Sequence, residues 1–280
     1  MGQVDLHLHS TASDGRFSPA EIVAMAAERG LSVIALTDHD TVNGITPALE
    51  AARAFPNLKV IPAVELSTDV PRGEAHVLGY FIDYAAPEFK AALDRFRNSR
   101  VRRAQGMVAK LKDLGIPIEW QRVQEIAADS SIGRPHIARA MLEKGYITSF
   151  KEAFTKYISR DGPAYVEREK VTPSEAVELI LKASGLPVLA HPFTVGDAET
   201  MIIELNGAGL VGIEAYYNSY SANDINTLTG WAGKHNLIAT GGSDFHGLDL
   251  STETPIGGAE VPMESAEQLF ALARQRGIIR

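Results

Sequence analysis

Short apolar runs rich in β-branched residues alternate with helical patterns along most of this 280-residue chain, and this alternation restricts the fold more than any other feature. The strand-like runs cover residues 4–8, 33–37, 60–64, 75–81, 187–190, 211–215 and 237–241. Between the first two, Ser18-Pro19-Ala20-Glu21 forms a capping box with proline at the first helical position, and Gly30 closes the helix. Thr172-Pro173-Ser174-Glu175 repeats that signature ahead of residues 176–183. Strands alternating with helices predict βα units and a parallel sheet.

The middle of the chain breaks the pattern. From residue 87 to 165 strand signals nearly vanish. Residues 89–114 read as one long helix stopped by Gly115 and Pro117, with further helices over 134–144 and 150–159. The expected organisation is an α/β domain over 1–86 and 166–280, with a helical insertion over 87–165.

Composition narrows the chemistry. The chain has no cysteine, which excludes disulfides and thiolate metal sites. Its net charge of −8 argues against broad duplex nucleic-acid binding. A phosphorylated substrate remains compatible, because bound cations reverse the local potential. No apolar run reaches the length that spans a bilayer, and the first residues carry charge and histidine instead of a signal core. A cytoplasmic protein with no membrane association is the expectation, and nothing implies an obligate protein partner.

The eight histidines are informative by position. His7 and His9 are two apart on a strand, so both imidazoles share a face. Asp14 follows in the next loop. His39 lies just past the second strand, Glu65 just past the third. His76 opens the fourth, His191 ends the next, and Asp244 and His246 lie just past another. Most of these are C-terminal strand ends, where α/β barrels build active sites; His76, at the start of its strand, is the exception. The nine imidazole and carboxylate groups exceed what one ion needs and suit two or three divalent cations.

Each residue also has a plainer reading. Asp14 beside Gly15 fits a turn, Asp40 fits a helix cap, and Asp244 and His246 fit loop polar groups. The metal reading rests on co-occurrence: six of the eight histidines sit at strand edges, each near an acid or a second histidine. His235 precedes its strand and reads as a surface residue.

Asp5-Leu6-His7-Leu8-His9-Ser10, Thr37-Asp38-His39-Asp40, Ala190-His191-Pro192 and Gly242-Ser243-Asp244-Phe245-His246-Gly247 resemble the four motifs of the PHP (polymerase and histidinol phosphatase) family. The resemblance spans essentially the whole chain. Within the family it is nearest the stand-alone phosphoesterases with a helical insertion, the nucleoside 3′,5′-bisphosphate phosphatases and 5′→3′ exoribonucleases. Ser131-Ile132-Gly133-Arg134-Pro135-His136 is the local feature closest to that subgroup.

The resemblance implies a distorted (β/α)7 barrel with three divalent ions, Mn, Zn or Fe. His7, His9, Glu65 and Asp244 would hold the first. Glu65, His76 and His191 would hold the second. Asp14, His39 and His246 would hold the third. Many members have histidine where this chain has Asp14, an oxygen ligand that leans towards Mn or Fe.

The implied activity is hydrolysis of a phosphate monoester by metal-activated hydroxide, with Asp244 and His191 essential and Asp38 orienting a ligand or relaying a proton. Asp38 reads equally as a helix-capping carboxylate. Arg134 and His136 are the substrate-binding candidates, since arginine matches phosphate bidentately. The same segment also reads as a loop entering a helix, with His136 facing solvent. Arg103 is a third candidate, on a stretch carrying Arg95, Arg97, Arg100, Arg102, Lys110 and Lys112. Those charges spread around a helix, so most of them form a solvated face.

The expected substrate is a small phosphorylated molecule, a nucleoside 3′,5′-bisphosphate first. Alternatives are a 5′→3′ exoribonuclease on short RNA, a histidinol phosphatase and a non-catalytic metal-binding module. The last predicts missing ligands, and none is missing.

Overall fold

The computed structural model describes residues 3–68, 70, 75–128, 132–167, 171–248 and 250–280. The chain divides into two compact units, Met1–Lys90 with Lys170–Arg280, and Ala91–Glu169.

The first unit is a seven-stranded sheet in sequence order, from β1 (Val4–Leu8) through β2 (Val33–Leu36), β3 (Lys59–Thr68), β4 (Ala75–Tyr80), β5 (Leu186–Ala190) and β6 (Gly212–Tyr217) to β7 (Ile238–Gly242). Beyond β7, Phe245 bridges in parallel to Leu8 of β1, and its carbonyl accepts the His9 N–H at 3.0 Å. This contact nearly closes the sheet into a distorted barrel. Helices α1 (Pro19–Glu28) and α2 (Ile45–Ala52) follow the first two strands. The Ser18 capping box is present at α1, with Ser18 N–H donating to the Glu21 carboxylate at 2.7 Å. Such a cap stabilises a helix by about 1 kcal/mol.

Two expectations about strands are corrected. The sheet is not wholly parallel: β4 runs antiparallel to both β3 and β5, with Ser67 opposite His76 and His76 opposite Ala190. Reversal brings the first residues of β4 to the rim where its neighbours end, so His76 is no exception. In addition, β3 extends to Thr68, which places Glu65 within the strand and not after it.

A register shift in β1 between Asp5 and Leu8 also matters. Val4 and Leu6 pack in the inner cluster with Val33, Ile61, Leu78, Tyr80 and Val188, whereas Leu8 packs outward against Ile22, Ala26 and Phe245. The bulge re-aims the strand, so Leu6 and His7 both face inward although adjacent. A second irregularity lies in β6 between Glu214 and Tyr216. Around the barrel pack α3 (Pro173–Lys182), α4 (Ala198–Ala208), α5 (Ala222–Lys234) and α6 (Met263–Gln275), the last extending the inner cluster through Leu269 and Ala273.

The second unit is helical. Most of a long helix over Pro87–Asp113 falls in it, followed by Trp120–Ala127, which the sequence pattern did not anticipate, and Arg134–Glu143. Residues 150–159 were expected as one α-helix. Instead a short turn over Phe150–Ala153 passes into a π-helical turn over Phe154–Ile158. Met107, Leu111, Val123, Ile137, Met141 and Ile158 form this unit's own core. No helix among the described residues is long and apolar enough to cross a membrane.

Candidate metal centre

The barrel rim gathers polar side chains that hydrophobic burial would otherwise expel. His7 on β1 and His9 just past its end are fully buried, and their ring centroids lie 5.2 Å apart. Glu65 reaches them from β3, with Oε2 at 3.2 Å from His7 Nε2 and 3.2 Å from His9 Nε2. Its other oxygen lies 2.8 Å from His76 Nδ1 and 3.2 Å from His191 Nε2. His39 Nδ1 approaches Glu65 at 3.1 Å. From the loop after β7, Asp244 Oδ1 lies 3.1 Å from His9 Nε2 and 3.3 Å from His7 Nε2. His246 stacks on His9 with centroids 4.1 Å apart and approaches Asp14 at 3.5 Å.

All nine residues expected as ligands thus converge. Donor atoms gather in three groups: His7, His9, Glu65 and Asp244; His9, Asp14, His39 and His246; and His39, Glu65 and His76. His191 meets this set through Glu65. The donors fit divalent cations. Both ring nitrogens of His9 and Oδ1 of Asp14 are buried without a hydrogen-bond partner. Leaving such groups unsatisfied costs about 1–3 kcal/mol each, and a bound cation removes that cost for donors that need no proton between them.

The histidine orientations have local causes. His7 Nδ1 faces Glu214 at 2.9 Å, His191 Nδ1 faces the Thr194 hydroxyl at 3.0 Å, and His246 Nδ1 faces the Asp244 carbonyl at 2.9 Å. Thr194 Oγ1 donates to the His191 carbonyl at 2.9 Å, leaving a lone pair for Nδ1–H. Each acceptor holds the proton on Nδ1 and turns Nε2 towards the centre.

Burial opposes charge on Glu65, Asp14 and His7, but mutual attraction outweighs it. Despite burial, the histidines around Glu65 and Asp14 hold both carboxyls well below the ordinary range. Conversely, Glu214, Asp244 and Glu65 raise His7 well above the usual imidazole value. Three non-glycine residues at the rim take positive φ: Asp40 at 52°, His191 at 27° and Asp244 at 51°. Strain of this kind costs about 1–3 kcal/mol per residue and persists where surrounding contacts enforce it.

Asp38 does not cap a helix. Its carboxylate accepts the Ser10 N–H at 2.8 Å, the Ser10 hydroxyl at 2.7 Å and the Ser13 hydroxyl at 2.7 Å, all buried. It therefore fastens the loop that carries Asp14. Asp40 is likewise no helix cap: it accepts the Ser67 N–H at 2.9 Å and ties the second motif to β3.

Two buried acids escaped the sequence reading. Glu214 contacts His7, and its other oxygen accepts the His191 N–H at 2.7 Å. Asp5 joins the two ends of the barrel by accepting from Ser243 N–H at 3.0 Å, Ser243 Oγ at 2.6 Å and Gly257 N–H at 2.8 Å. The available signal was a single acid inside an otherwise apolar strand, as in Val4-Asp5-Leu6 and Gly212-Ile213-Glu214-Ala215.

The expected substrate residues belong to the second unit. The Arg134 guanidinium lies 5.5 Å from the Phe154 ring, on the π-helical turn. His136 does not face solvent: it is buried, and its Nδ1 accepts the Gly133 N–H at 2.9 Å, closing the helix start. Arg103 is half-buried on the long helix, where Arg95, Arg97, Arg102, Lys110 and Lys112 are exposed and Arg100 is buried. Ser131, at the head of that motif, lies outside the described residues.

The chain is similar to known proteins along most of its length. The PHP domain family model matches residues 5–184. A 3′,5′-nucleoside bisphosphate phosphatase of Chromobacterium violaceum is 35% identical over 256 residues, covering 88% of each chain. A 5′-3′ exoribonuclease of Haemophilus influenzae is 33% identical, covering 86% of this chain and 89% of its own. Among solved structures, a Bifidobacterium adolescentis protein described as a metal-dependent phosphoesterase superposes with a TM-score of 0.87 at 26% identity, covering 96% of this chain and 95% of its own.

Proposed function

We propose, from the premise that this chain belongs to the PHP domain family, that it removes the 3′-phosphate of a nucleoside 3′,5′-bisphosphate. Membership and relatives together make it a metal-dependent phosphoric ester hydrolase that uses divalent cations. The substrate reading goes further. It is supported by the similarity to the bisphosphate phosphatase, which runs through 88% of both chains.

Three ions are the proposed complement, in the sets His7, His9, Glu65 and Asp244; Glu65, His76 and His191; and Asp14, His39 and His246. The sharing of both Glu65 oxygens among the donors of the first two sets, and the gathering of Asp14, His39 and His246 beside His9, support that assignment. When bound, such ions lower the pKa of water and neutralise phosphoryl charge.

The chain's own groups do the rest. Glu214, Thr194 and the Asp244 carbonyl keep protons on Nδ1 of three histidines. Tyr217 donates to Asp244 Oδ2 at 2.8 Å and leaves Oδ1 turned to His7 and His9. Asp38 keeps the Asp14 loop in place. Arg134 is proposed to bind the substrate's second phosphate, with His136 and Arg103 supporting substrate binding.

Phosphate release by the Mn-loaded protein from adenosine 3′,5′-bisphosphate tests the reading, with histidinol phosphate and a short 5′-phosphorylated RNA in parallel. Faster release from the bisphosphate is expected. Turnover of RNA alone would transfer the same metal centre to the exoribonuclease reading, which the Haemophilus relative supports.

A further inference from the structure

Four aromatic side chains beside the metal centre, on β6, on α5 and in the turns that follow β5 and β6, form a connected series. Tyr217 is the inner member, its hydroxyl on Asp244 and its ring 5.6 Å from the His191 ring. Tyr220 follows at 5.1 Å from Tyr217. Phe193 lies 5.3 Å from Tyr220 and 5.9 Å from Trp231. The first, second and fourth are half-buried, but Phe193 is 38% exposed.

Single exposed aromatics are ordinary on protein surfaces. Phe193 differs in being both braced and placed. It sits in the 3-10 turn Pro192–Thr194, entered through the positive-φ residue His191. Its N–H donates to the Tyr220 hydroxyl at 3.0 Å. Tyr220 and Trp231 meet its ring at 60° and 70°, edge contacts that fix its position without occupying it as a parallel stacking partner would. Only Pro192 separates it from His191, so the two Cα atoms lie within about 7 Å of each other.

We propose that Phe193 is the platform of a nucleobase subsite, on which the base of the substrate stacks while its phosphate occupies the metal centre. The inference rests on the reading of the substrate as a nucleotide. Phe193 supplies a rigid apolar face already ordered by its neighbours, so little conformational freedom is lost on binding. A stacking platform accepts any base, since every base has a π-face. Specificity is therefore expected for the presence of a base more than for its identity.

Binding decides the proposal independently of the reaction. Affinities of adenosine 5′-monophosphate and ribose 5-phosphate for the Mn-loaded full-length protein are compared by calorimetry. The wild type is expected to prefer the nucleotide by about tenfold, within the range that base stacking supplies. Phe193→Ala and Phe193→Leu should bring that preference to within about threefold by weakening the nucleotide alone, the leucine variant keeping apolar bulk without a π-face. Phe193→Trp should retain it. No base preference in the wild type, or an undiminished preference in both Phe193→Ala and Phe193→Leu, overturns the inference. A wild type that shows the Phe193-dependent preference yet releases no phosphate from adenosine 3′,5′-bisphosphate would support the subsite and refute the proposed reaction.

Discussion

Glu214 Oε1 lies 2.9 Å from His7 Nδ1, with both side chains wholly buried. The same carboxylate receives the backbone N–H of His191, so one side chain on β6 orients elements of β1 and of the turn after β5. Acceptors behind metal-binding histidines typically govern affinity by about 10–100-fold. Glu214→Gln is expected to weaken Mn binding by that order while the protein still folds. Glu214→Ala should also lower stability, because two buried donors lose their acceptor, at about 1–3 kcal/mol each. Metal titration by calorimetry together with thermal melts separates the two effects. Wild-type affinity in the glutamine variant would remove Glu214 from this role.

His191→Ala and Asp244→Ala are each expected to abolish turnover while the circular dichroism spectrum stays that of the wild type. Both residues lie in rim turns beyond strand ends, so the barrel's apolar core is not cut by either change. Full activity in either variant would sink the assignment of these groups to the centre.

Metal loading should depend on pH in a defined direction. In the metal-free protein burial opposes charge on His7, His9, His191 and His246, but the surrounding carboxylates raise all four above the ordinary value of 6.5, His246 to about 10. Cation binding requires neutral imidazole and must displace these protons. Apparent Mn affinity is therefore expected to rise from about pH 6 to 8, with protons released on loading into a weakly buffered solution. Loading without proton release would contradict the assignment.

The stability of the metal-free protein follows from the same groups. The raised histidines contribute fully below their unfolded value of 6.5, and their contribution is lost as pH rises. The depressed carboxyls of Glu65 and Asp14 contribute above their unfolded values of 4.5 and 3.8 and lose that contribution on acidification. Thermal melts should place maximum metal-free stability between these limits. Added Mn should raise the melting temperature more at neutral pH than at acid pH.

Gly242 has no room for a side chain: a Cβ there would meet the Cβ and backbone of His7. Gly242→Ala should force β7 away from β1, costing about 1–3 kcal/mol and moving His7 off the centre. Lower melting temperature with weakened metal binding is the expected pair of results, and an unchanged melt would show that the seam is looser than described.

Arg134→Ala is expected to raise KM for adenosine 3′,5′-bisphosphate more than for a simple aryl phosphate. Steady-state kinetics on both substrates check this. Equal effects would deny Arg134 a role specific to the second phosphate.

The strand pattern and the histidine positions were legible because barrel strands need apolar, β-branched residues and rim ligands must stand at their ends. The direction of β4 was not legible. Ala75 to Tyr80 looks alike whichever way the strand runs, and only its pairing with Ser67 and Ala190 reveals the reversal. Glu214 and Asp5 were overlooked because their partners are 207 and 238 residues away in sequence, respectively, and no local spacing announces them. Trp120–Ala127 has no side-chain cap at Glu119, so the start signal that marked the helices after Ser18 and Thr172 was missing there. The π-helical turn likewise leaves no imprint in a pattern of ordinary helical period.

The closing contact between Leu8 and Phe245 has a bearing on biosynthesis. His7 and His9 are made well before Glu65 and Asp244, and the group that brings the four together needs the chain synthesised through residue 244. The two early histidines must wait, unpaired with their final neighbours, until the last strand docks against the first. Cation capture by that group thus reports a finished barrel, and a ribosome stalled before residue 244 would hold a nascent chain with its first ligands exposed and no complete site to fill.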